Sequence, residues 1–154
     1  MIKANVILHS IAWKKYLKNP NSFIDKKVKL LNKKSKLYKK NIFIFSILLS
    51  RSKEIKKLNK KFRKMNKSTD VLSFPFYEKT HLKRMIKNYK EVYIGDIIVN
   101  LDKIKDKKKK IKFQEDFNKL WIHGLAHLFG HKHKKDRDFF IMQSIERKYL
   151  KYIN

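Results

Sequence analysis

The chain has no cysteine, which excludes disulfides, thiolate metal sites and cysteine nucleophiles together. Glycine and proline are scarce, at three and two residues. Arginine is almost as rare: Arg51, Arg63, Arg84, Arg137 and Arg147 are the only five among 41 basic residues, and the other 36 are lysine. Long apolar runs are missing too. The longest, "IFIFSILL" from Ile42 to Leu49, falls far short of the roughly 20 residues that a spanning helix needs. At the N-terminus, "MIKANVILHSIAWKKYL" breaks its short apolar stretch with polar residues, unlike a secretory signal. A soluble, cytoplasmic protein with no membrane partner is the expectation.

Carboxylates are also few. Thirteen acidic residues leave a formal net charge of +28, and clustered cations of this kind gain affinity for phosphates by releasing counterions. The lysine excess comes with abundant isoleucine and asparagine, the pattern of an AT-rich coding sequence, so the charge fits an RNA partner without establishing one. An apolar share of 42% and an aromatic share of 13% allow a buried core, and 154 residues suit one domain over 1–154.

Periodicity suggests interleaved helices and strands. Phe23, Ile24, Val28 and Leu31 in "SFIDKKVKLLNKKSKLYKK" are spaced for an amphipathic helix, and "NIFIFSILLS" reads as a buried strand. In "SKEIKKLNKKFRKM", Ile55, Leu58, Phe62 and Met65 mark a second helix that Ser52 could cap. "STDVLSFPFY" is a strand edged by Pro75, and "EVYIGDIIVNL" another, with Gly95 predicting a bulge or a close backbone approach. The two form a hairpin if residues 78–90 are a long charged loop. The longest helix spans about Ile111–Phe129, and a last one spans Asp136–Ile153. The pattern is α+β, a small mixed β-sheet packed with helices.

Four of the six histidines fall in "HGLAHLFGHKH", residues 123–133. His123 and His127 are four apart on the edge of an apolar stripe made by Phe113, Phe117, Leu120, Trp121 and Leu128, so their imidazoles can share one ion. A third ligand is His131 or His133. On an unbroken helix His131 would lie about 12 Å along the axis from His123, too far for metal–nitrogen bonds of about 2 Å. Gly130 can end the helix and turn the chain back, which brings in His133. H-x-x-x-H-x-x-G-x-x-H is the ligand spacing of the metzincin proteases, but the glutamate after their first histidine is Gly124 here, and no carboxylate occurs from 117 to 135. His9 and His81 are assigned no role.

Taken in order, "LNKKFRKMNKSTDVLSFPF", "GDIIVN" and "HGLAHLFGHKH" resemble the YbeY-type endoribonucleases, the rRNA maturation factors of bacteria. The resemblance is clear from about Leu58 to Glu146 and faint over the first forty residues. It implies an α+β fold and a metzincin-like three-histidine site with His123, His127 and His133 as ligands to one zinc-class ion (Zn2+). It also implies cleavage of single-stranded RNA in ribosomal RNA processing, with the ribosome as partner and no small organic cofactor. Arg63 falls where the family carries a functionally important arginine, and Met142 and Glu146 suit its C-terminal helix. Two positions depart from the family pattern. His131-Lys132 replaces Tyr-Asp before the last histidine, which would alter the groups that orient the site, and Ala126 replaces a leucine. The rival readings are a metallopeptidase, against which the missing glutamate argues, and a non-catalytic ribosome-associated assembly factor whose metal is structural.

Overall fold

The computed structural model describes residues 1–35, 40–132 and 136–154. Four strands form one mixed sheet: β1 (Ile2–Leu8), β2 (Ile42–Ser50), β3 (Val71–Pro75) and β4 (Glu91–Asn100). Their spatial order is β1-β2-β4-β3. β2 runs parallel to both β1 and β4, and β3 pairs antiparallel with β4 at an edge. Five α-helices accompany them: α1 (Pro20–Lys34), α2 (Ser52–Arg63), α3 (Lys79–Asn88), α4 (Lys110–Leu128) and α5 (Asp136–Ile153). The mixed α+β architecture expected from the sequence is therefore present.

Alternation along β2 explains the two faces. Phe43, Phe45, Ile47 and Leu49 are fully buried and cluster with Val92, Ile94, Ile97 and Val99 of β4, with Trp13, and with residues of α1, α4 and α5. Trp121 of α4 stacks on Phe45 at 6.5 Å between ring centroids. On the opposite face, a smaller cluster joins Ile55 of α2 to Leu72 and Ile98, with Leu48, Leu58 and Phe74 beside it.

Four expectations need correction. The segment 78–90 is not a loop, because Leu82, Met85 and Ile86 give α3 an apolar stripe that its many charges disguise. β1 is an additional strand: Ile2, Ala4 and Val6 alternate with Lys3 and Asn5, and pairing with β2 completes it. The helix expected to begin near Ser22 starts at Pro20, where Asn19 accepts a hydrogen bond from the Ser22 N–H at 2.9 Å. Its expected continuation over 36–39 lies outside the described residues. Ser52 does not cap α2. The Asp102 carboxylate does so instead, accepting from the Ser52 N–H at 3.0 Å while it pairs with Arg51.

The end of β4 is braced by Asn100, which is fully buried. Its amide donates to Ser52 Oγ, Ser68 Oγ and the Thr69 carbonyl, and its backbone N–H donates to the Asp70 carbonyl. Asp70 in turn accepts from Thr69 Oγ1 and the Val71 N–H. This network holds the loop 68–70 at the entry to β3 and ties it to the start of α2.

Gly95 provides both features expected of it. The β2–β4 register jumps between Ile44 and Phe45, which face Tyr93 and Gly95, so Ile94 is the extra residue of a bulge. Gly95 itself has φ +131°, and a Cβ there would lie 2.2 Å from the Phe74 carbonyl oxygen. Replacing Gly95 with alanine is expected to cost roughly 3 kcal/mol or more through overlap plus backbone strain. The check is a lowered urea midpoint at unchanged slope.

Candidate metal centre

The histidine helix lies directly on the sheet. Phe113, Phe117, Trp121, Leu125 and Leu128 bury the expected face of α4, while Leu120 is only half-buried. Gly124 makes the close approach possible, since a Cβ would meet Ile97 Cγ2 at 2.7 Å. The position that holds a glutamate in the peptidases is thus packed against a fully buried isoleucine, with no room for a carboxylate unless Ile97 moves.

On the edge of that face, His123 and His127 present their Nε2 atoms to each other at 3.1 Å. The far side of each ring is held. His123 Nδ1 is 2.9 Å from Glu146 Oε1 on α5, and His127 Nδ1 is 2.8 Å from the His131 carbonyl oxygen. A carboxylate and a carbonyl accept, so Nδ1 is the donor on each ring and Nε2 is the atom left facing inward. Facing each other in this way, the two Nε2 atoms are spaced so that they could share one cation. Tetrahedral zinc–nitrogen bonds would set the nitrogens about 3.3 Å apart, so the donor set and its spacing fit a transition metal.

The chain does reverse after His127. Gly130 has φ +82°, its N–H donates to the His127 carbonyl at 2.8 Å, and the His131 N–H donates to the Ala126 carbonyl at 3.1 Å. This is the paired hydrogen-bond pattern of a Schellman motif, with glycine in the left-handed position. The same turn delivers the His131 carbonyl to His127. His131 is therefore used through its backbone, and its ring does not join the pair: among the described residues no group of three metal-binding side chains converges. Burial, and then the nearby Lys79, lower the pKa of that ring. His133, the third expected ligand, lies outside the described residues. Lys132 pairs with Glu78 at 3.0 Å, so at this departure from the family pattern a lysine fastens the turn to the residue that caps α3.

Arg63 is the last residue of α2, and Lys64 ends the helix in a left-handed conformation with φ 59°. Its Nη2 donates to the Ser73 carbonyl at 3.0 Å, and its guanidinium lies over the Phe74 ring at 5.7 Å. Ser73, which is buried, pairs with Ile97, the residue beneath Gly124. Arg63 and the histidine helix are thus attached to one pair of strands.

Three features went unread in the sequence. The sequence places Glu146 only on a helix, although it makes a carboxylate–imidazole contact with His123 at 2.9 Å. Twenty-three residues separate the two, and no local pattern marks such a pairing. His9, left without a role, has Nδ1 3.1 Å from Ser50 Oγ. Asp96, an acid within a strand, accepts from the Tyr93 hydroxyl at 2.6 Å, and that hydroxyl also meets Ser46 Oγ.

A histidine pair on a central helix, a glycine reversal behind it and one four-stranded mixed sheet define the class: α+β domains with a helix-borne imidazole centre. Within that class, the family model for Endoribonuclease YbeY matches residues 10–154, and the chain belongs to this family. It is 41% identical over 156 residues to Endoribonuclease YbeY of Pelagibacter ubique, covering 99% of this chain and 97% of that one. It is 35% identical over 81 residues to the Clostridium beijerinckii protein of the same name, covering 46% and 48% of the two chains. The solution structure of a Thermotoga maritima protein superposes with a TM-score of 0.58 at 25% identity, covering 99% of this chain and 89% of that one.

Gly130→Ala is expected to destabilise the protein by about 1–2 kcal/mol, because the left-handed conformation penalises a Cβ. That Cβ would also meet Lys79 at 3.0–3.3 Å. Thermal denaturation should show Gly130→Asn recovering part of the loss.

Proposed function

We propose that the protein is a metal-dependent endoribonuclease specific for single-stranded RNA. It acts in ribosomal RNA maturation, at the small-subunit 3′ end, and in ribosome quality control. Family membership supports RNA cleavage, and the excess of cations supports a polyanionic substrate. One observation carries the metal dependence: two imidazoles, each held through Nδ1 by an acceptor, turn their Nε2 atoms to a common point.

His123, His127 and His133 would hold a zinc-class ion. When bound, such an ion supplies Lewis-acid polarisation of a phosphoryl oxygen and a water acidified to a pKa near 7. The rest is work for the chain itself. Glu146 and the His131 carbonyl keep both rings in the ligating tautomer. Arg63 offsets negative charge growing on the phosphate with a planar fork of donors. Its bond to the Ser73 carbonyl and its seat over Phe74 orient it at the β3 edge. The close packing of Gly124 on Ile97 argues against peptide hydrolysis, because it leaves the peptidase base no place.

Cleavage of single-stranded RNA should disappear in His123→Ala while RNA binding persists, and Arg63→Lys should cut the cleavage rate tenfold or more, about 1.4 kcal/mol of barrier. Equal cleavage by wild type and His123→Ala, with equal binding, leaves an assembly factor in place of an enzyme. Chelator competition assigns the ligands. His133→Ala should lose the metal and His131→Ala should keep it, while Glu146→Ala should weaken it roughly ten- to a hundredfold.

A further inference from the structure

Phe74 seats Arg63, but the rings around it on the outer face of β3 have no use in the chemistry above. Phe74 lies on the edge strand and Phe76 just past its end, two residues on and so about 7 Å further along, where its N–H still donates to the Ile94 carbonyl. Phe62, from the end of α2, meets Phe74 edge-on at 5.4 Å, and Phe76 meets Tyr93 at 5.8 Å. The outer two rings are open to solvent, Phe62 at 58% and Phe76 at 62% exposure, an unfavourable place for large apolar groups without a partner.

Cations surround them. Lys61 lies 5.2 Å over the Phe62 ring and Arg63 lies 5.7 Å over Phe74. Lys60, Lys64 and Lys67 are exposed on the same segment, and no acidic residue occurs from Ile55 to Thr69. Three carboxylates that flank these strands in the sequence are engaged: Asp70 with Thr69 and Val71, Asp96 with the Tyr93 hydroxyl, and Glu78 with Lys132. The main chain that carries the row, though not its rings, adjoins the histidine helix. The space left by the missing Gly95 side chain is bounded by the Phe74 carbonyl, the Phe76 N–H and Leu128 Cδ2, and Leu128 follows His127.

We propose that Phe62 and Phe76, flanking Arg63, form a stacking platform for successive bases of the single-stranded RNA whose backbone reaches the metal centre. The inference rests on the endoribonuclease reading and adds the surface that holds the substrate. Charge complementarity selects RNA as the occupant. Aromatic side chains on a sheet face, framed by lysine and arginine, bind unpaired bases with little sequence preference. A duplex keeps its bases stacked on one another and gains nothing from these rings, so the platform also accounts for a preference for single strands.

The test is fluorescence anisotropy of a short labelled oligoadenylate with full-length protein, its integrity checked on a gel, alongside circular dichroism of each variant. Phe62→Ala and Phe76→Ala should each weaken binding about tenfold, with the dependence on salt unchanged because no phosphate contact is lost. Phe76→Trp should retain wild-type affinity. If both alanine variants fold and bind within about twofold of wild type, the platform is wrong, whether the rings dock a protein or nothing. Cleavage by wild type in that case leaves the endoribonuclease reading standing. Stacking losses in a protein that does not cleave sink the enzyme and keep the platform, and a wild type that binds no oligoadenylate sinks the platform directly.

Discussion

The distance between the histidine helix and the sheet governs what the rest of the molecule can do. α4 rests on β4 through Gly124 over Ile97, and β3 and β4 come together through Gly95 under the Phe74 carbonyl. A methyl group at either position would push apart surfaces that must meet for the imidazoles to sit at the sheet's edge. Protein interiors are packed too densely to absorb such a change without displacement. Two of the chain's three glycines are spent on this closeness, and the third ends the helix so that a backbone carbonyl can hold His127. In a sequence this poor in glycine, each one marks a place where main chain approaches something it could not otherwise reach.

Tautomer control extends the same constraint into the chemistry. His123 depends on a carboxylate from α5 and His127 on a carbonyl from the turn beyond its own helix. Both must be in place for the two rings to offer a cation two lone pairs rather than a lone pair and a proton. The two supports come from different elements, which makes the centre a property of the assembled fold and not of α4 alone.

Local patterns were legible where one physical signal dominated. β2 alternates without interruption, α4 has an unbroken apolar face, and the role of Gly130 followed from the distance an uninterrupted helix would impose. Signals failed where composition masked them. In α3, three apolar positions among lysines looked like solvated chain, and in β1 the alternation was too short to stand without β2 beside it. Contacts across the fold were invisible for a different reason. Glu146 with His123, Asp102 with the start of α2, and Arg63 with the Ser73 carbonyl join elements whose meeting only the completed sheet determines. The family resemblance supplied the role expected of Arg63, while spacing had already singled out the histidines. It did not reveal that His131 acts through its carbonyl, a role that any residue type can fill and that no motif records.

The strand order has a consequence for how molecules of this protein meet. β1 and β3 are the two margins of an open sheet, and such margins offer unpaired amides and carbonyls to any neighbouring chain. Arg63 already covers part of the β3 margin, while Lys3 on β1 pairs with Glu91. Beyond those local guards, a body carrying +28 repels its own copies at every approach. Neutralisation by a polyanion removes that repulsion, so the condition that loads the protein with nucleic acid is also the one in which its bare margins are least protected from self-association.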